Sequence, residues 1–184
     1  MSETEKPECM VDLETLGNSN TAVILSIGAC MFYPTGEGVL PDPFEAFVDP
    51  QSCVSAGLTM DPSTVLWWMD DQRDEARIAL MDKMDTAVPL RTALARFSEW
   101  FGQSKPFWGN GATFDNVILR SAYTAVGLPC PWKFWDDRCY RTLKNLAPTV
   151  KLQREGVHHS AMWDAISQAK HLQQINRFIA TSGE

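Results

Sequence analysis

Met10-Val11-Asp12-Leu13-Glu14-Thr15 sets two carboxylates, two positions apart, into a run that otherwise reads as a buried strand. Alternate residues of a strand share a face and lie about 6.6 Å apart. At that spacing two ionised carboxylates repel by roughly 2 to 3 kcal/mol at an effective dielectric of about 20. A multivalent cation between them turns this cost into a gain. The alternative is a surface strand that leaves Asp12 and Glu14 in water and turns Val11 and Leu13 to the core. The rest of the chain decides between the two.

Outward from this strand, Gly17-Asn18-Ser19-Asn20 is a turn signal, and the apolar, β-branched run Thr21 to Tyr33 suits a central strand, so the two form a hairpin. A third strand, Phe44 to Val48, follows. Asp61 before Pro62 reads as an N-cap with proline at the first helical position, opening a helix through Trp67, Trp68 and Met69. A second short helix is expected over Arg73 to Met81. Leu90, Leu94, Phe97 and Phe101 recur at helical spacing, and Pro106 to Gly109 reads as a short buried strand. Phe114 to Val126 reads as a helix ended by Gly127 and Pro129. Phe134-Trp135-Asp136 is the expected fifth strand, followed by a helix through Leu143 and Leu146. A last helix, Ser160 to Ile179, carries the apolar stripe Ala161, Ala165, Ala169, Leu172, Ile175 and Ile179. Three antiparallel strands followed by alternating helix and strand predict an α/β fold, a mixed five-stranded sheet with helices on both faces.

A chain of 184 residues, 45% hydrophobic and 21% charged, fits one folded domain with a large core to which seven Trp and nine Phe contribute. The expected organisation is a disordered tail over residues 1–8, a single domain over 9–180 and a short tail over 181–184. Residues 1–8 lack a basic start and an apolar stretch, and no apolar run is long enough to span a bilayer, which predicts a soluble, cytoplasmic protein without membrane association. Cys9, Cys30, Cys53, Cys130 and Cys139 are scattered without a C-x-x-C pair, so reduced thiols are expected rather than disulfides or zinc. A net charge of -7 argues against holding long nucleic acid on an extended basic surface, though not against gripping a strand end. Between Lys133 and Arg154, however, Lys133, Arg138, Arg141, Lys144, Lys151 and Arg154 face only Asp136 and Asp137. That run is either a solvated helix face with its loop or a rim facing phosphates.

Two further acids join the first pair. Asp115 stands where Trp108-Gly109-Asn110-Gly111-Ala112-Thr113-Phe114 leads from strand to helix, a position the helix dipole alone would favour. Asp164 borders the stripe of the last helix, where a neighbouring Lys or Arg is the alternative to a metal as its partner. His159, five residues earlier, suits a general base beside an activated water, whereas His158 reads as a surface side chain.

In order and spacing, Asp12-Leu13-Glu14-Thr15, Phe114-Asp115 and His159-x-Ala161-x-x-Asp164-Ala165 resemble the three motifs of the DEDD 3'-5' exonucleases of the ribonuclease H-like superfamily. The resemblance runs from about residue 8 to 180. One branch of that family has tyrosine where this chain has Ser160, so His159 indicates the histidine branch, DEDDh. Trp67-Trp68 and Trp108-Gly109-Asn110-Gly111 look most like the group containing phage exodeoxyribonucleases and a bacterial adenylate-specific exoribonuclease.

This resemblance implies two divalent cations, Mg2+ or Mn2+, with Asp12 bridging both, Glu14 and Asp164 completing the first site and Asp115 holding the second through water. His159 is the implied base. Thr15, Leu16, Gly17, Trp68, Asn110 and Phe114 are the implied contacts to substrate. Leu16 and Gly17 read equally well as a core side chain and a turn, and Trp67, Trp68 and Trp108 as core or subunit contacts rather than stacking platforms. The implied activity is removal of nucleoside 5'-monophosphates from the 3' end of single-stranded nucleic acid, with DNA favoured. The alternatives are an exoribonuclease that trims oligoribonucleotides or RNA tails, and a non-catalytic nucleic-acid-binding module, disfavoured because all five motif residues are present. A homodimer is compatible with the tryptophan content and the family's habit.

Overall fold

The computed structural model describes residues 6–182. Five strands form one sheet in the order β3-β2-β1-β4-β5: β1 Glu8–Thr15, β2 Ile24–Phe32, β3 Phe44–Phe47, β4 Phe107–Gly109 and β5 Asp137–Cys139. The first three strands pair antiparallel, while β4 pairs parallel with both β1 and β5, which gives the expected mixed sheet. The helices are α1 Pro50–Ser55, α2 Pro62–Trp68, α3 Asp74–Met81, α4 Leu90–Phe101, α5 Asp115–Ala125, α6 Tyr140–Leu146 and α7 Ala161–Ser182. Asp61 caps α2 as its sequence suggests, accepting from the Ser63 backbone N–H at 2.8 Å.

Strand parity divides the core. Cys9, Val11 and Leu13 of β1 face a layer containing Leu94, Phe97 and Phe101 of α4 and Ile118 and Leu119 of α5. Met10 faces the other way, with Cys30 and Phe32 of β2, onto Tyr140 of α6 and Ala165, Ala169 and Leu172 of α7. Helices thus cover both faces. Asp12 and Glu14 share the parity of Met10, so both carboxylates emerge on the α7 side.

The fifth strand lies three residues later than the sequence suggests. Phe134–Asp136 forms a 3-10 turn, closed by the Lys133 N–H donating to Asp136 Oδ2 at 3.2 Å, and both aromatic rings are exposed. The domain ends also differ from expectation. Glu8 already pairs with Phe32, and α7 continues through residues 181 and 182; residues 1–5 and 183–184 of the expected tails lie outside the described residues.

Candidate active site

Across the hairpin Asp12 stands opposite Gly28. A Cβ at Gly28 would lie 2.0 Å from the Met162 nitrogen and 2.1 Å from the Ala161 carbonyl carbon, so only glycine lets α7 begin directly on β2. Asp164 in its first turn then meets the β1 pair, and one oxygen each of Asp12, Glu14 and Asp164 lies within 4.8 Å of the others. The sheet repeats the device at Gly109, where a Cβ would approach Asn116 Oδ1 to 2.2 Å and the Asp115 Cβ to 3.0 Å. That close seat places Asp115, the first residue of α5, at the same cavity.

These acids are desolvated. Glu14, Asp115 and Asp164 are buried and Asp12 is partly exposed. Burial raises the Asp12 pKa well above its ordinary value, the charges of Asp115 and Asp164 add to this, and a hydrogen bond from Gln168 and the charge of Arg154 oppose it. Glu14 is raised for the same reasons, burial first and then Asp12, Asp164 and Asp115. Burial pushes Asp115 up to about 7, against backbone hydrogen bonds and the charge of Arg141. Asp115 Oδ1 accepts from the Leu13 N–H at 3.2 Å, whereas its buried Oδ2 has no partner among the described residues. An all-oxygen donor set, desolvated and with an orphaned carboxylate oxygen, fits a hard divalent cation. Asp164 is differently placed: Arg154 donates to its Oδ1 at 2.6 Å and the His159 backbone N–H to its Oδ2 at 3.0 Å.

His159 adopts φ +63°, a left-handed conformation that costs a non-glycine residue about 1–3 kcal/mol. Its ring stands edge-on to Trp67 at 5.0 Å and stacks on His158 at 3.8 Å. Burial, followed by the neighbouring His158, lowers the His159 pKa to about 4, against the opposing pull of Asp164. The ring is therefore neutral at pH 7 and free to accept a proton. His158, expected to point away, is exposed yet stacks on His159, and a nitrogen of each lies within 4.8 Å of an Asp164 oxygen.

A cavity of about 640 Å³ unites the five motif residues and is also bordered by Thr15, Trp67, Trp68, Asn110 and Phe114. Trp68 is fixed by its ring N–H donating to the Thr15 carbonyl at 2.9 Å. Leu16 and Gly17 do not border the cavity. The Leu16 side chain packs into the core, its N–H and carbonyl are engaged by Val23 and Asp61, and the buried Gly17 accepts from Thr15 Oγ1. Trp108 is likewise absent from the wall, packing on the α7 side of the sheet with its ring N–H on the Glu8 carboxylate. Of the basic run, Arg141, Lys144 and Arg154 reach the cavity, which favours the phosphate-facing rim for those three; Lys133, Arg138 and Lys151 do not. Sequence reading missed Gln168, whose Nε2 donates to Asp12 Oδ1 at 2.7 Å; its spacing of one helical turn from Asp164 was the available signal.

The sequence profile of the Rv2179c-like family, described as the 3'-5' exoribonuclease Rv2179c-like domain, matches residues 7–176. No curated protein matches the chain by sequence. Among solved structures, the nuclease domain of 3'hExo, a DEDDh family member bound to rAMP, superposes with a TM-score of 0.63 at 15% identity, over 97% of this chain and 95% of that one. E. coli Exonuclease I in complex with a 5cy-dT13 oligonucleotide gives a TM-score of 0.63 at 13% identity, over 97% of this chain but 43% of that one. Cell-death related nuclease 4 gives 0.53 at 14% identity, over 94% and 64%. These likenesses establish the fold as that of the ribonuclease H-like DEDDh nucleases.

Proposed function

The chain belongs to the Rv2179c-like 3'-5' exoribonuclease domain family, and from that premise we propose that it removes nucleoside 5'-monophosphates one at a time from the 3' end of single-stranded RNA. It is a 3'-5' exonuclease of the DEDDh kind. The preference for DNA expected from sequence gains no support from the family's description, which names RNA, and the proposal follows that description. The observation that carries the reading is the convergence of Asp12, Glu14 and Asp164 within 4.8 Å on a cavity that Asp115, with its orphaned carboxylate oxygen, also borders.

Asp12, Glu14 and Asp164 would hold one divalent cation, Mg2+ or Mn2+, and Asp12 with Asp115 a second. Bound there, such a pair would offset the charge that develops on the attacking and leaving oxygens of an in-line displacement. The neutral His159 ring accepts the proton released by the attacking water. Arg141, Lys144 and Arg154 supply positive charge at the same cavity for the phosphates of the strand. Trp67 and Trp68 form an aromatic wall beside His159, where the terminal nucleotide can stack. Thr15, Asn110 and Phe114 are the remaining contacts we assign to substrate; Leu16 and Gly17 act through the fold instead.

Digestion of equal-length RNA and DNA oligomers, labelled at either end, tests the reading in Mg2+, Mn2+ and EDTA. The expected result is stepwise loss of the 3' nucleotide as a 5'-monophosphate, faster on RNA and absent in EDTA. Release from the 5' end, or full activity in EDTA, would overturn it. Faster digestion of DNA would overturn the sugar preference alone.

A further inference from the structure

Gln168 lies on α7 one turn beyond Asp164, within the apolar stripe that includes Ala165, Ala169 and Leu172. It is 4% exposed. A leucine or methionine there would fill the same space without a polar group. Instead the chain buries an amide whose Oε1 has no partner among the described residues, a net cost to folding. Among the described residues its one polar contact in return is the 2.7 Å hydrogen bond from Nε2 to Asp12 Oδ1. In the ionised form that ligates a cation the Asp12 carboxylate only accepts, so the amide turns its nitrogen to Asp12, and that orientation leaves Oε1 unpaired.

Asp12 lacks the anchors that two of its neighbours have. Asp115 is fixed by the Leu13 N–H, and Asp164 by Arg154 and the His159 N–H. Asp12 sits opposite Gly28, which offers no side chain, and it repels three other carboxylates. We propose that Gln168 is a positioning residue of the cation site: by holding one Asp12 oxygen from α7, it sets the carboxylate in the orientation that binds divalent metal. A glutamate would be no substitute, since it cannot donate when ionised and would add a further negative charge to the cluster.

The inference rests on the proposed cation dependence, and calorimetric titration of the metal-free protein with Mn2+ separates the two. Gln168→Met and Gln168→Ala are compared with wild type after thermal melting confirms that each is folded. Groups that orient metal ligands typically contribute 10- to 100-fold to affinity, so both variants should bind Mn2+ about 10- to 100-fold more weakly, with Gln168→Met melting at or above the wild-type temperature and Gln168→Ala lower because it leaves a cavity. Unchanged Mn2+ affinity in a folded variant would overturn the role of Gln168 and leave the cation site standing. If the wild-type protein itself binds no Mn2+, both fall. A variant that melts early yet binds Mn2+ as wild type does would reduce Gln168 to a packing residue.

Discussion

Asp12, Glu14, Asp115 and Asp164 are carried on a strand and on two helix starts that sit directly on the sheet over Gly28 and Gly109. Across the cavity, Arg154, His158 and His159 ride on residues 147–160, which contain turns but no helix or strand. That segment is tied to α7 by side chains: His171 to the Val150 carbonyl, Ser167 to the Glu155 N–H, and Lys170 to the Glu155 carboxylate. Backbone geometry therefore fixes the acidic floor, and side-chain contacts fix the wall. Charge follows the same division. The floor concentrates buried carboxylates that repel one another until a cation arrives, while the wall presents two neutral imidazoles and a guanidinium. Substitution in the floor should therefore be all-or-none for activity and mild for folding; in the wall it should be graded.

The sharpest way to break this contrast is Asp12→Ala or Asp164→Asn. Turnover in either variant should fall to the level wild type shows in EDTA, with circular dichroism unchanged, because losing a carboxylate relieves repulsion as it removes a metal ligand. His159→Ala should cost about 10²- to 10⁴-fold in kcat at neutral pH, the usual contribution of a positioned base. Its Mn2+ affinity by calorimetry should stay at the wild-type level, since the wall moves protons and the floor holds metal. Arg141 donates to the Asn110 carbonyl at 2.7 Å beside the floor. Loss of a charged hydrogen bond to phosphate is worth about 1.5–3 kcal/mol, so steady-state kinetics of Arg141→Ala should show KM raised tenfold or more and kcat little changed.

The smallest effect is on stability. Asp115 has an ordinary pKa of 3.8 and about 7 in the folded protein, so between these values the fold retains a proton that the unfolded chain releases. Its contribution in EDTA is full below pH 3.8 and is lost as pH rises through about 7. Asp12 and Glu14 act in the same direction. Melting temperature in EDTA should thus fall between pH 5 and pH 8, by ~2–4 °C per kcal/mol for a chain of this size. Mg2+ should restore more at pH 8 than at pH 5.

Much of the floor was legible because its signals are local. Strand parity alone sets Asp12 and Glu14 on one face, and the spacing from His159 to Asp164 spans one entry into a helix. What escaped depends on contacts between distant segments. Phe134 and Trp135 look like strand residues, yet the strand is the polar Asp137–Cys139. Asp137 there accepts from Trp132, Asn116 and Arg120, three partners that no local pattern announces. Leu16 and Gly17 border the first motif in sequence but are taken up by the core and by the turn toward α2. Gln168 was hidden for the opposite reason, because its spacing of one turn from Asp164 is a local signal that gains meaning only once Asp12 is seen beside it.

Anomalous diffraction from crystals soaked in Mn2+ tests the central claim most directly. A peak ligated by Asp12, Glu14 and Asp164, with a second beside Asp115, is the predicted result. A map without Mn2+ at those oxygens would contradict the account.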